Sequence, residues 1–465
     1  MKKLFTLFAF IITATLSAQD IAGTWHGLLK FPGGQLRIDI NVTNTGNGYA
    51  VTFDSPDQGA KGIPTEQVSF KDNVLTWAIP QAGIRYSGKF ENNAIKGTFT
   101  QGDGSLPLDF TREAVKVVVK KKPQEPVAPF AYKSEDVTFK NATANVTLAG
   151  TLTTPNTAGP HPAVILLTGS GAQNRDEEIL GHKPFMVLAD YLTRNGFAVL
   201  RYDDRGIAES TGDFATATTT DFATDAQAAF TYLKSRKEIN IKKIGFAGHS
   251  EGGSVAAMAA AANPEVAYIV LIAGSILPGD QQMLLQNYIL GKANGMPETE
   301  LTKLGAINRK VYDVIKQETD LAKMKTKIAA VMNADLKPIL LKQGITEPDI
   351  AQYIEVQSRE LASPWYSAFI KGNPGAALEK VMCPVLAING SNDLQVEAKA
   401  NLAAVEKAAA KAGNKNVKVM ELQGLNHLMQ ESKTGKPAEY GDLEQTFSPV
   451  ALEAIGSWLK TVSKQ

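Results

Sequence analysis

Ile244-Gly245-Phe246-Ala247-Gly248-His249-Ser250-Glu251-Gly252-Gly253 places a serine with a glycine two residues to either side. An apolar run precedes it and a small-residue run, Ser254 to Ala260, follows, which predicts strand, tight turn and helix in succession. So sharp a turn has no room for bulky side chains at the glycine positions. It lifts the serine hydroxyl above the sheet edge, beside the positive end of the next helix. An ordinary glycine-rich turn can carry the same pattern, and a serine hydroxyl is a poor nucleophile without a base to take its proton. A base and an acid are therefore required to make the pattern chemical.

The sequence offers five histidines. His26 lies in a β-rich N-terminal region, and His161 precedes a strand in Gly159-Pro160-His161-Pro162. His182 is in a loop, with nothing beside it to support a catalytic role. His249 adjoins the serine, so its side chain is expected to point away and serve structure. His427, in Gly424-Leu425-Asn426-His427, follows the last apolar run, where an α/β sheet places its reactive loops. It is the base by position and elimination. Its acid is Asp393, at the end of Asn389-Gly390-Ser391-Asn392-Asp393 after the apolar run Pro384 to Ile388; a plain Asn/Asp turn is the alternative. The chain order serine, acid, histidine is then that of the α/β-hydrolases.

A developing oxyanion needs backbone donors. The amide of Glu251, just after the nucleophile, is one. The loop Leu167-Thr168-Gly169-Ser170-Gly171 supplies the other, with Ser170 the first choice and Gly171 the second, unless it is only a flexible strand end. Charges in Arg201-Tyr202-Asp203-Asp204-Arg205-Gly206 read as ion pairs that brace a loop. Trp365, Tyr366 and Phe369 either pack a cap on the body or line an acyl or aryl pocket. No metal-ligand spacing, dinucleotide fingerprint or phosphate loop appears, and no cofactor is expected.

The elements that must hold these residues follow from hydrophobic patterning. Ala163 to Leu167, Ala198 to Leu200, Ile244 to Ala247, Tyr268 to Ile272, Pro384 to Ile388 and Val417 to Leu422 are apolar on both faces, which suits a parallel sheet covered by helices on each side. Asp136 to Thr153 alternates and supplies antiparallel edge strands. From about 276 to 380 the periodicity is helical, with Leu301, Leu304, Ile307, Val311 and Val314 on one face, so an all-helical cap interrupts the sheet. Residues 19–114 show short alternating strands separated by Gly/Asn turns, an antiparallel accessory domain, and 115–131 reads as a stiff, solvated Lys/Pro-rich linker. Residues 1–18 have the charged start, short apolar run and small-residue cleavage site of a secretory signal peptide. No stretch reaches the length of a membrane span.

Lysine plus arginine total 48 against 47 aspartate plus glutamate, so there is no basic excess for nucleic acid to answer. The one cysteine, Cys383, cannot form an internal disulfide and reads as a structural thiol.

Residues 132–465 resemble the serine α/β-hydrolases, near the branch of serine-aminopeptidase-like and acyl esterase enzymes. Thr168-Gly169-Ser170-Gly171 followed by Arg175-Asp176-Glu177 and Lys183-Pro184-Phe185 resembles exported bacterial carboxylesterases with an N-terminal β domain. The resemblance implies an α/β-hydrolase fold, a Ser250–Asp393–His427 triad and activity on acyl esters. Thr168 departs from many relatives, in which a histidine opens this loop. The expected substrate is a small-molecule or saccharide-linked ester. A serine exopeptidase, with Glu251 holding a substrate amino terminus, and a non-catalytic binding protein are the competing expectations.

Overall fold

Alternation of buried and exposed positions, as in Ile84–Glu91, lets each N-terminal strand bury one face and solvate the other. In the computed structural model, which describes residues 21–31, 34–56, 60–101, 104–115 and 122–464, these strands form a ten-stranded antiparallel sheet. Residues 1–18, expected to be a signal peptide, and 116–121 of the expected linker lie outside the described residues. One edge strand of the sheet is Ala60–Pro64 and the other is Glu66–Lys71, separated only by Thr65, so the sheet curls round as a barrel. Its interior is aromatic: Trp77 stacks on Tyr86 at 5.3 Å and Trp25 meets Phe90 edge-on at 5.8 Å. The described chain divides into two compact units, this one and a second built mainly from residues 117–465.

The second unit has eight strands: β1 (Tyr132–Asn141), β2 (Val146–Pro155), β3 (His161–Leu167), β4 (Ala198–Tyr202), β5 (Ile239–His249), β6 (Ile269–Ile272), β7 (Val385–Gly390) and β8 (Val417–Leu422). They lie in the order β1-β2-β4-β3-β5-β6-β7-β8, with the β1–β2 and β2–β4 pairs antiparallel and the rest parallel. This is an α/β-hydrolase fold. Successive residues of a strand face opposite sides, so Ile165 and Leu167 join one apolar layer while Val164 and Leu166 join the other. Helices α1 (Pro184–Arg194) and, at the far end of the chain, Pro449–Val462 cover the second layer. Helices α2 (Thr219–Lys234) and α3 (Glu251–Ala262) cover the first.

Register decides where the loops emerge. Leu167 pairs with Gly248, His249 with Ile272, Ile272 with Ile388, and Gly390 with Leu422. The chain therefore leaves β3, β5, β6, β7 and β8 at one carboxyl edge, where an open α/β sheet binds its ligands.

Between Ile272 and Val385 the elements are helical: α4 (Gly279–Ala293), α5 (Glu298–Gln317), α6 (Leu321–Val331), α7 (Lys337–Lys342), α8 (Glu347–Leu361), α9 (Pro364–Lys371) and α10 (Pro374–Leu378), with one π-helical turn at Met332–Leu336. All but α10 share an apolar core of their own, including Ile307 and Val311 of α5, Ile328 of α6 and Ile354 of α8, while Leu378 of α10 joins the layer under α2 and α3. Cys383 is half-buried just before β7, where burial pushes its thiol up to about 12.

The linker differs from its expected solvated state. Lys122 donates to the Gly441 and Leu443 carbonyls, and Gln124 exchanges three hydrogen bonds with the backbone of Thr446 and Phe447. Composition identified a stiff, polar segment, but its side chains match backbone groups far along the chain.

Candidate active site

Ser250 sits between β5 and α3 with φ 52° and ψ −117°, a left-handed conformation that a serine adopts only where the fold enforces it. The enforcement is steric. A side chain at Gly248 would run into the carbonyl of Gly252, and one at Gly252 into the carbonyls of Leu167 and Thr168. Strand, serine and helix can approach this closely only with glycine at both positions. The half-buried Ser250 lines a cavity of about 270 Å³, together with Ser170, Glu251, Trp365 and His427.

His427 follows β8 in a loop locked from within. Asn426 Oδ1 accepts from the amides of Leu428 and Gln430, and Asn426 Nδ2 donates to Gln430 Oε1. The buried Asp393 carboxylate accepts from the amides of Gln395 and Val396, both at 2.8 Å, and faces His427 Nδ1 at 2.8 Å. Because a carboxylate only accepts, Nδ1 carries the proton and Nε2 presents a lone pair. Among the described residues nothing engages that Nε2.

His249 does not point away from the site. It is buried, its ring centroid stands 4.8 Å from that of His427, and it lines the same cavity. Its Nε2 donates to the His427 carbonyl at 2.9 Å and its Nδ1 to Glu177 Oε1 at 2.9 Å. Both partners are acceptors, so the ring holds two protons. Burial opposes that charge, but Glu177 outweighs it and the pKa is raised. Glu177 Oε1 also accepts from the amide of Gly169 at 2.7 Å. One carboxylate thus ties the loop after β3 to the residue before Ser250 and, through His249, to the loop bearing His427.

That loop has further braces. Thr168 donates its hydroxyl to the buried Asp204 at 2.7 Å, and Gln173 its amide to the same carboxyl at 3.1 Å. Burial pushes the Asp204 pKa up. Arg175 grips Asp203 through two guanidinium nitrogens and its own amide, and Arg201 contacts Asp176. The charges after β4 are therefore braces for the loop, and the threonine found in place of a histidine has a structural partner. Ser170 borders the cavity, whereas Gly171, with φ 98°, does not. The amide of Gly169 is already occupied by Glu177.

The buried Glu251 carboxylate accepts from Thr219 at 2.5 Å and, with both oxygens, from Trp365 Nε1 at 3.0 Å. Burial raises its pKa. Its own amide opens α3 and has no intrahelical acceptor. Trp365 stacks on Phe369 at 5.4 Å, and both line the cavity with Tyr366.

The remaining histidines lie elsewhere. His26 pairs with Asp39 inside the β unit, and His161 contacts the Thr157 carbonyl. His182 is held between Thr446 and the Tyr440 carbonyl, with burial pushing its pKa down to about 4. The Glu177–His249 bridge went unread in the sequence. Its only trace is a glutamate six residues beyond a Gly-Ser-Gly loop and a histidine inside the elbow. No cluster of three or more metal-ligating side chains occurs among the described residues.

Residues 183–346 match the serine aminopeptidase (S33) family. Esterase EstD of Thermotoga maritima is 27% identical over 366 residues, spanning 76% of this chain and 73% of that protein. Two solved structures resemble the chain more distantly. An esterase of Pyrococcus furiosus matches with a TM-score of 0.43 and 17% identity, covering 71% of this chain and 91% of that one. Est1E of Butyrivibrio proteoclasticus, solved with ferulic acid, matches with a TM-score of 0.42 and 17% identity over 71% of this chain and 100% of that one.

Proposed function

We propose that this chain, a serine hydrolase with the α/β-hydrolase fold, is an exported esterase that cleaves small-molecule or saccharide-linked carboxylic esters through Ser250, His427 and Asp393. The observation that carries the reading is the pairing of His427 Nδ1 with Asp393, which leaves Nε2 unengaged on a residue that lines one cavity with Ser250 on its strained turn. Ser250 Oγ attacks the ester carbonyl carbon as His427 Nε2 takes its proton. The amides of Glu251 and Ser170 receive the oxyanion. The imidazolium returns its proton to the departing alcohol, and water, deprotonated by the same nitrogen, releases the acid from the acyl-enzyme. Each oxyanion donor contributes about 3–4 kcal/mol in comparable sites. Export rests on Lys2, Lys3, the apolar run from Leu4 to Ile12 and Leu16-Ser17-Ala18.

An ester is favoured over a peptide amino terminus because the Glu251 carboxylate, the candidate anchor for an ammonium group, is already taken by Trp365 and Thr219. The test is labelling by a fluorophosphonate probe together with turnover of p-nitrophenyl acetate and aminoacyl p-nitroanilides. The reading expects labelling at Ser250, hydrolysis of the ester alone, and loss of both in Ser250→Ala at an unaltered melting temperature. Turnover that survives in Ser250→Ala would falsify it.

A further inference from the structure

A second chamber of about 820 Å³ lies within the cap, walled by α4, α5 and α8. It shares Met283, Glu360 and Tyr366 with the catalytic cavity, so the two are neighbours across a partition of a few side chains. We propose that this chamber receives an apolar chain of the ester substrate, passing from Ser250 between Met283 and Tyr366 into the cap. The proposal rests on the ester reading above.

Size is the first argument. At about 270 Å³ the catalytic cavity falls below the roughly 300–1,000 Å³ of sites that enclose a medium-sized ligand, whereas the cap chamber lies well inside that range. The wall is the second. Leu284, Leu301 and Leu304 face the chamber, and several of its polar groups are already engaged with one another. Asn287 donates to Tyr312 at 3.2 Å, Tyr312 and Tyr366 share a contact at 3.4 Å, and Tyr288 donates to Glu298 at 3.1 Å. The wall is mixed, since Gln281, Asn308, Arg309 and Gln357 also line it, and its apolar part is what a hydrocarbon chain would meet.

Gly305 is the third. It sits inside α5, where glycine costs about 1 kcal/mol relative to alanine. A Cβ built on it meets nothing nearer than the end of the Arg309 side chain, at 3.9 Å. Packing therefore does not require a glycine there; its absent side chain is space in the chamber wall.

The experiment compares wild type with Gly305→Phe and Gly305→Leu, the latter a good helix former if the larger side chain hinders folding. The acyl arm uses p-nitrophenyl acetate and octanoate, and the alcohol arm uses ethyl and octyl acetate. The expected result is a fall of about tenfold in the long-to-short ratio of kcat/KM in one arm, which also names the side of the ester that enters the cap. Equal changes for long and short esters in both arms, or no change in either, would overturn the proposal. Calorimetric binding of decanoate and decanol to Ser250→Ala, with and without the Gly305 substitution, keeps the question separate from turnover. If no ester is hydrolysed but binding of one of them weakens tenfold, the ester reading fails and the chamber stands. If neither ligand binds either protein, the chamber proposal fails.

Discussion

Two histidine–carboxylate pairs stand side by side at this sheet edge, His427 with Asp393 at 2.8 Å and His249 with Glu177 at 2.9 Å. Both are buried, and their rings are 4.8 Å apart. They differ in what the second ring nitrogen meets. Among the described residues His427 Nε2 has no hydrogen-bond partner, whereas His249 Nε2 is spent on the His427 carbonyl. A histidine beside a carboxylate is thus not yet a base; the unengaged lone pair makes the difference. The pair without one serves as a clamp that positions the pair that has one.

Equivalent surgery on the two carboxylates should separate them most sharply. Asp393→Asn is expected to lower kcat by about 10⁴-fold, because the amide can hold His427 in the wrong tautomer. Glu177→Gln acts only through position and should cost less than about 100-fold. Steady-state kinetics on one ester decides, and similar losses would erase the distinction between base and clamp.

Melting temperature against pH gives the next effect. The raised pKa of His249 means that its pair with Glu177 stabilises the fold fully below about pH 6.5, and that this contribution is lost as pH climbs through the folded value. Wild type should therefore lose stability on the alkaline side of neutrality, while His249→Gln starts lower and follows a flatter curve. A parallel pair of curves would show that folding leaves the His249 pKa unshifted.

The smallest effect belongs to Trp365→Phe, which keeps the stack on Phe369 and deletes the donor to Glu251. Activity should fall less than tenfold, and the kcat profile should change on its acidic side as Glu251 loses a bond that favours its ionised form. An unchanged profile would mean that the Trp365 bond does not reach the reaction.

The elbow was legible because its constraint is local: Gly248, Ser250 and Gly252 are neighbours in sequence and collide with neighbours in space. Asp393 and His427 were legible because each follows an apolar run, and parallel register brings such run ends to one edge. The parallel strands and the helical interval between Ile272 and Val385 could be read from the same periodicity, but the order of the strands in the sheet could not. The clamp was not, since Glu177 and His249 are 72 residues apart and neither type announces its partner. His249 was misplaced by assuming that a side chain adjoining Ser250 must face elsewhere, whereas both residues line one cavity with His427. Docking of Gln124 onto Thr446 and Phe447 was hidden for the same reason as the clamp.

β6 and β7 pair in parallel from Ile269 with Val385 to Ile272 with Ile388, although the whole cap lies between them in sequence. The cap thus departs from and rejoins the body at adjacent strands whose pairing is indifferent to what is threaded between. Insertions, deletions or wholesale exchange in that segment can re-tailor the walls above the sheet edge while Ser250, Asp393 and His427 stay in register. Chemistry and selectivity in this molecule are therefore free to evolve on separate clocks.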